Sequence, residues 1–207
     1  MNKKRLIVIV ALVLVVLAGA GVLAYVIAHD KNGVNNPGAQ YGVGADGYGA
    51  SVNPNEHLGT VKVLTKDQVN AGFGGDATVS KPEESGTLHL GDVKGETATF
   101  AVKTTKGDVS FEVDVRTYPS AEDLNAAGPF TGAEQAKVTG LSSEAHYLVP
   151  YGQEMLNDQQ VALLTTKDKT SYKFAIVQSS DKIIYGTDEA KAILLEIAKK
   201  ANLSEVK

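Results

Sequence analysis

The sequence predicts an α+β fold, in which an antiparallel sheet of about five strands is packed by two or three helices and preceded by one transmembrane helix. Three observations lead to this prediction. Apolar and polar residues alternate with the two-residue period of strands in several runs between Glu96 and Gln178. The residues from Asp188 to Ala201 follow a helical period. A long apolar run lies near the start of the chain.

The apolar run extends from Leu6 to Ala28 and contains 23 residues, none of them charged. As a helix it would be about 34 Å long, enough to cross a hydrocarbon core of about 30 Å. A basic tip, residues 1–5, precedes the run, so the positive-inside rule places this tip in the cytoplasm and the rest of the chain outside. We therefore expect a single-pass protein of the cell membrane, whose residues 6–28 have the lipid bilayer as their partner.

Two alternatives for this segment remain open. A cleaved signal peptide, with a small-residue site at 18–20, would also export the rest of the chain. Ala20, Ala24 and Ala28 recur every four residues, a spacing that allows two helices to approach closely and form a homodimer through the anchor. The abundance of alanine in apolar helices explains the same spacing without a dimer.

A Gly- and Asn-rich segment, residues 29–57, follows the anchor and is predicted to be a flexible linker. The sequence GVGADG at residues 42–47 matches the G-x-G-x-x-G pattern of dinucleotide-binding loops. That pattern binds a pyrophosphate only between a strand and the N-terminus of a helix. Neither flank of the match has strand or helix character, so no cofactor is predicted.

The remaining residues, 58–207, are predicted to form the extracytoplasmic domain. A capping box that begins at Thr65 predicts a short helix ending at Gly72. An N-cap at Ser120, followed by acidic residues, predicts a second short helix that ends at the Gly-Pro pair 128–129. The third helix is the periodic segment near the C-terminal end, whose apolar side is expected to lie on the sheet.

Five runs of β-forming residues are predicted to be strands. They are Glu96–Lys103, Val109–Tyr118, Ala145–Val149, Val161–Thr165 and Tyr172–Gln178. Short polar turns join the first two and the last two as hairpins, with Gly107 at a positive φ in the first turn. In the second strand Glu112, Asp114 and Arg116 share one face, so we expect water to cover that face and the sheet to be antiparallel.

Composition excludes several classes of function. The chain has no cysteine, which removes disulfides, thiolate nucleophiles, Cys-ligated zinc and the lipidated Cys of bacterial lipoproteins. Residues 58–207 contain 16 Lys and Arg against 21 Asp and Glu. The predicted domain is therefore acidic, and no nucleic acid is expected as a partner.

The histidines and carboxylates offer little for catalysis. His29, His57, His89 and His146 lack the spacing of a metal site, and no metal is predicted. Glu144 and His146 are two residues apart and would point the same way on a strand, as an acid/base pair requires. No recognisable nucleophile motif accompanies this pair. We therefore predict no catalytic residues, with a hydrolase that uses Glu144 and His146 as an alternative.

The segment VTGLSSEAHY at residues 138–147 is followed by a Lys-Asp hairpin and a closing helix rich in Ala and Leu. It resembles the exported domains of actinobacterial envelope lipoproteins and of receptor-kinase sensor modules, in which a V-x-G-L-G-D-E-A turn precedes two strands and a final helix. The resemblance implies a PsbP-like or sensor-like α+β sandwich in the bacterial envelope, with no known catalytic residues. Gly140 and Ala145 correspond to backbone features of that turn, and Ser142 stands where the family prefers Gly.

The anchor, the linker and the lack of a catalytic motif predict a non-enzymatic extracytoplasmic domain that binds an envelope ligand or protein, or senses the envelope. A structural subunit of an envelope complex is the second prediction and a hydrolase the third. A pocket lined by four aromatic side chains would favour binding, whereas a fully packed interface between sheet and helix would favour a structural role. These side chains are Phe100, Phe111, Tyr172 and Phe174.

Overall fold

The computed structural model describes residues 50–149, 158–179, 181–204 and 206. The predicted anchor and the GVGADG match lie outside these residues. Within the described ranges, no helix is both long enough and apolar enough to cross a bilayer.

Nine strands in the described ranges form a single antiparallel sheet. The strands are β1 (Ala50–Asn53), β2 (Thr78–Val79), β3 (Glu83–Glu84), β4 (Thr87–Leu90), β5 (Val93–Lys103), β6 (Asp108–Thr117), β7 (Ala145–Leu148), β8 (Asp158–Lys167) and β9 (Thr170–Ser179). The order across the sheet is β1-β4-β5-β6-β9-β8-β7, and the short strands β2 and β3 also pair with β5. The α+β prediction is confirmed, but the sheet is larger than the predicted five strands.

Two of the three described helices begin where their capping residues predict. The three helices are α1 (Lys66–Gly72), α2 (Ala121–Ala126) and α3 (Thr187–Ala198), and a 3-10 turn (Thr60–Lys62) precedes α1. In the capping box of α1, the Gln68 N–H donates to Thr65 Oγ1 at 3.2 Å and the Thr65 N–H donates to Gln68 Oε1 at 2.7 Å. At the start of α2, Ser120 Oγ accepts from the Asp123 N–H at 3.1 Å.

The two long hairpins lie where the alternating pattern predicts them. Strands β5 and β6 pair with Phe100 opposite Phe111, and Gly107 in their turn has φ 147°. Strands β8 and β9 are joined by the polar turn at Asp168 and Lys169, where Asp168 has φ 55°. Asp tolerates this left-handed conformation better than most residues with a side chain.

The main core lies between one face of the sheet and the helices α1 and α3. Helix α3 contacts β8, β9 and α1, and its side chains Leu194 and Ile197 are fully buried, which confirms the predicted apolar side. The four aromatic side chains named above are at most 2% exposed and belong to the same core. These rings therefore belong to the buried interface between sheet and helix and are almost inaccessible to solvent.

The prediction that water covers the opposite face of β6 was wrong. Glu112 and Asp114 are only 7% and 5% exposed. Helix α2 lies against β9, and its Leu124 is buried outside the main core. Asp114 lies 3.6 Å from Arg116 and 3.9 Å from Lys173, cations that offset part of the cost of its burial. Alternating charged residues show which side chains share a face of the sheet, but not whether that face is exposed to solvent.

The linker prediction needs correction at its C-terminal end. Strand β1 lies inside residues 29–57 and pairs with β4, with Val52 opposite Leu88. The folded part therefore begins before Leu58. For residues 29–49, which lie outside the described ranges, the linker remains a prediction.

Candidate functional site

The predicted acid/base pair is formed, but it belongs to a larger polar cluster. His146 Nε2 lies 3.2 Å from Glu144 Oε1, and Lys137 Nζ lies 2.9 Å from the same oxygen. His146 Nδ1 lies 2.8 Å from the backbone carbonyl of Glu134, and its ring packs against Phe130 at a centroid distance of 4.6 Å. The side chain of His146 therefore has polar partners at both nitrogens.

This arrangement favours a structural role for the pair. A carbonyl oxygen can only accept, so Nδ1 of His146 must carry a proton. His146 is 7% exposed, which leaves little surface for a substrate. The hydrogen bond from Lys137, and then that from His146, lowers the pKa of Glu144, so this carboxylate is ionised and engaged by two neighbours. A general base needs instead a free lone pair within reach of a substrate proton.

The turn at residues 140–143, which carries the family resemblance, forms one wall of a surface cleft of about 420 Å³. The end of β8 and the C-terminal tail after α3 form the other walls. The described lining residues are Gly140, Leu141, Ser142, Ser143, Thr165, Lys167, Ala198, Lys199, Ala201, Asn202, Leu203 and Ser204. Two are lysines, five carry hydroxyl or amide groups, and none of those described is acidic.

The C-terminal wall of this cleft is fixed by hydrogen bonds to the core. The Tyr172 hydroxyl donates to the Leu203 carbonyl at 2.6 Å, and the Asn202 N–H donates to the Val63 carbonyl at 2.9 Å. Burial raises the pKa of Tyr172 to about 12, so the phenol remains a donor throughout the physiological range. The tail therefore reaches the cleft in a defined position.

The opposite wall of the cleft, formed by the turn at residues 140–143, contains a glycine whose backbone conformation shapes the turn. Gly140 has φ 90°, a left-handed conformation that favours glycine. Lys199 crosses close to it, because a β-carbon at Gly140 would lie 3.6 Å from Lys199 Cε. Lys167 Nζ contacts Ser204 Oγ, and Lys199 Nζ pairs with Glu196 at 2.7 Å. Both lysines thus line the cleft, and each amine has one polar partner among the described residues: Ser204 for Lys167 and Glu196 for Lys199.

A second cluster, separate from the polar cluster at Glu144, joins side chains that are distant in the sequence. His57 Nδ1 lies 2.7 Å from Glu96 Oε1 and 3.6 Å from Glu84 Oε2. The hydrogen bond to Glu96, and also the charge of Glu84, raises the pKa of His57. The two other described histidines lie elsewhere: His146 is on β7, and His89 is on β4.

A neighbouring ion-pair group lies beside this cluster. Glu56 accepts from Lys94 Nζ at 2.9 Å and lies 2.7 Å from His89 Nε2. These partners, Lys94 first, lower the pKa of Glu56. His89 and Lys94 are directly opposite each other in the β4–β5 pair, which explains why both reach one carboxylate.

The sequence analysis assigned His57 to the linker and predicted no metal ligands. It therefore missed the cluster of His57, Glu84 and Glu96. The three side chains come from the segment after β1, from β3 and from β5, and no local spacing brings them together. Glu84 and Glu96 share one face of the sheet only because β3 pairs with β5, with Glu84 opposite Ala98. A strand of two residues has no period that a sequence pattern can show.

Comparison with known proteins adds little. No protein-family model matches the chain, and no curated protein matches it. Among solved structures, the chain is similar to the extracellular domain of PknH from Mycobacterium tuberculosis, with 12% sequence identity and a TM-score of 0.37 over 68% of this chain and 93% of that chain. A likeness of this level establishes neither a shared fold nor a shared function. The resemblance of residues 138–147 therefore remains a prediction.

Proposed function

We propose that the chain is a membrane-anchored, extracytoplasmic and non-enzymatic domain that binds a small anionic ligand in the cleft at residues 140–143. The observation that carries this proposal is the composition of the cleft wall, which combines two lysines with hydroxyl and amide side chains. The export of the domain follows from the apolar run and its basic tip. Together these features describe a receptor for a charged molecule of the envelope.

The size and chemistry of the cleft suit such a ligand. Its volume lies within the range of about 300–1,000 Å³ that is usual for small-molecule sites. Lysine ammonium groups bind carboxylate or phosphate oxygens through charge-assisted hydrogen bonds. Leu141 and Leu203 add apolar surface to the same walls, so a ligand with a short apolar part and an acidic group fits best.

The polar cluster at Glu144 does not favour the hydrolase alternative. Its histidine is buried and bonded at both nitrogens, and its carboxylate is shared between two neighbours. The buried aromatic core favours a structural subunit as the second candidate, because its rings are almost inaccessible to solvent. The cleft lies outside that core. A test of ligand binding at the cleft therefore distinguishes a binding domain from a structural subunit.

Native mass spectrometry of the full chain, extracted from bacterial membranes, tests the proposal. We expect a small-molecule adduct on the wild type that is lost in the double variant Lys167→Ala, Lys199→Ala. The matched control is Lys200→Ala, which removes a similar charge next to the cleft but not in its described lining. An adduct that persists in the double variant would overturn the assignment of the cleft. No adduct on any of the proteins would instead favour the structural subunit.

A further inference from the structure

We infer that His57, Glu84 and Glu96 form a binding site for one divalent transition-metal ion, separate from the anion cleft. Each side chain offers one ligand atom, and these atoms all lie within 4.8 Å of one another. Imidazole nitrogen combined with carboxylate oxygen is a donor set that suits Zn²⁺ and its first-row neighbours. The inference does not depend on the proposed function, since it uses other residues.

Glu96 is built into the fold as an oriented ligand. Its side chain is fully buried. Its Oε2 accepts the backbone N–H groups of Leu58 at 3.1 Å and Thr60 at 3.0 Å. These two bonds fix the carboxylate plane, so Oε1 is left to face His57 and Glu84. Hydrogen bonds from outside the metal shell commonly orient metal-bound carboxylates in this way.

The two distances from His57 lie on either side of the spacing that a tetrahedral site requires. With Zn–N and Zn–O bonds of about 2.0–2.2 Å, the ligand atoms of a tetrahedral site are roughly 3.3–3.5 Å apart. His57 Nδ1 already lies 3.6 Å from Glu84 Oε2, and its 2.7 Å hydrogen bond to Glu96 Oε1 would lengthen. The ion takes the place of the proton that Nδ1 otherwise donates to Glu96.

The charge of the cluster favours a cation. Among the described ion pairs, both Glu84 and Glu96 have His57 as their partner. Lys94, on the same strand as Glu96, is engaged by Glu56. With a neutral imidazole the cluster has two negative charges, one of them on a buried carboxylate, and a divalent ion neutralises both.

Thr60, whose backbone N–H binds Glu96, carries a buried hydroxyl. Thr60 is 1% exposed, and its Oγ1 has no hydrogen-bond partner among the described residues. Its backbone N–H lies 3.0 Å from Glu96, which places the residue next to the carboxylate. Buried hydroxyls without a partner are uncommon.

Isothermal titration of the metal-free full chain with Zn²⁺ tests the inference. We expect one ion per chain for the wild type, and an affinity lowered at least about tenfold in both His57→Ala and Glu84→Gln. The matched control is His89→Ala, which removes another carboxylate-bonded histidine from the same region and should change the affinity by less than about twofold. Glu84 is partly exposed, so its amide variant is expected to fold.

Two results would overturn the inference. One is the absence of stoichiometric Zn²⁺ binding by the wild type. The other is an affinity in Glu84→Gln, with the circular dichroism spectrum of the wild type, that equals the wild-type value. In either case the cluster is a histidine–carboxylate ion pair that stabilises the start of the domain.

Discussion

Single side chains fix the C-terminal tail, and Tyr172 is the clearest case. Its phenol is buried and donates to the Leu203 carbonyl. Its pKa is raised to about 12 in the folded chain, whereas an unfolded tyrosine titrates near 10. The stabilising contribution of the neutral phenol is therefore complete below about pH 10 and is lost as the pH rises from about 10 to 12.

Tyr172→Phe is expected to lower the free energy of unfolding by about 1 kcal/mol at pH 7, because the Leu203 carbonyl loses its donor. The difference between wild type and variant should shrink between pH 10 and 12. Urea unfolding at pH 7 and at pH 11 measures both effects. A difference that stays constant or grows over this interval would contradict the described role of the phenol.

At the residue scale, the sequence predicted contacts that depend on local spacing. Glu144 and His146 are two apart in an extended segment, so their contact followed from the strand period alone. His57, Glu84 and Glu96 meet only through strand pairing, and no pattern in one sequence encodes that. The prediction that water covers Glu112 and Asp114 was wrong for a related reason. Whether a sheet face is buried depends on which elements from elsewhere in the chain pack against it.

Among the elements, α1 and α3 pack most closely at Gly72. A β-carbon added to Gly72 would lie 2.1 Å from Ile197 Cγ1 and 2.9 Å from its Cδ1. Ile197 is fully buried, so it has little room to move. The glycine that ends α1 therefore allows the two helices to approach each other.

Gly72→Ala should decrease the free energy of unfolding by about 1–2 kcal/mol, because the overpacking cost exceeds the gain in helix propensity. The control is Gly95→Ala, whose added β-carbon meets no atom closer than 3.6 Å and which should be neutral or slightly stabilising. Denaturant titration of both variants gives the comparison. Equal stability of Gly72→Ala and wild type would show that α3 moves freely relative to α1.

Long elements were predictable, whereas β7 is the only short strand of the described sheet that the sequence predicted. The hairpins β5–β6 and β8–β9 alternate over enough residues to show a period, and α1 and α2 have capping residues. Strand β1 has four residues and β2 and β3 have two each, so backbone pairing with a neighbour defines them. The sheet consequently extends further than the sequence predicted.

In the whole molecule, a predicted anchor precedes a folded domain that has a surface cleft, for which we propose anion binding, and a separate histidine–carboxylate cluster. The cleft lies at the surface of the domain, and the histidine–carboxylate cluster extends from the exposed His57 to the buried Glu96. His57 follows β1, so an ion bound there would join the segment after β1 to strands β3 and β5. These roles require that the domain lie outside the cytoplasm.

Protease protection of the full chain, carrying different tags at its two ends, tests that requirement most directly. In intact bacterial spheroplasts, added protease should remove the C-terminal tag and leave the N-terminal tag, and inverted membrane vesicles should give the reverse. A C-terminal tag protected in spheroplasts and removed in inverted vesicles would contradict the account, because the domain would then face the cytoplasm.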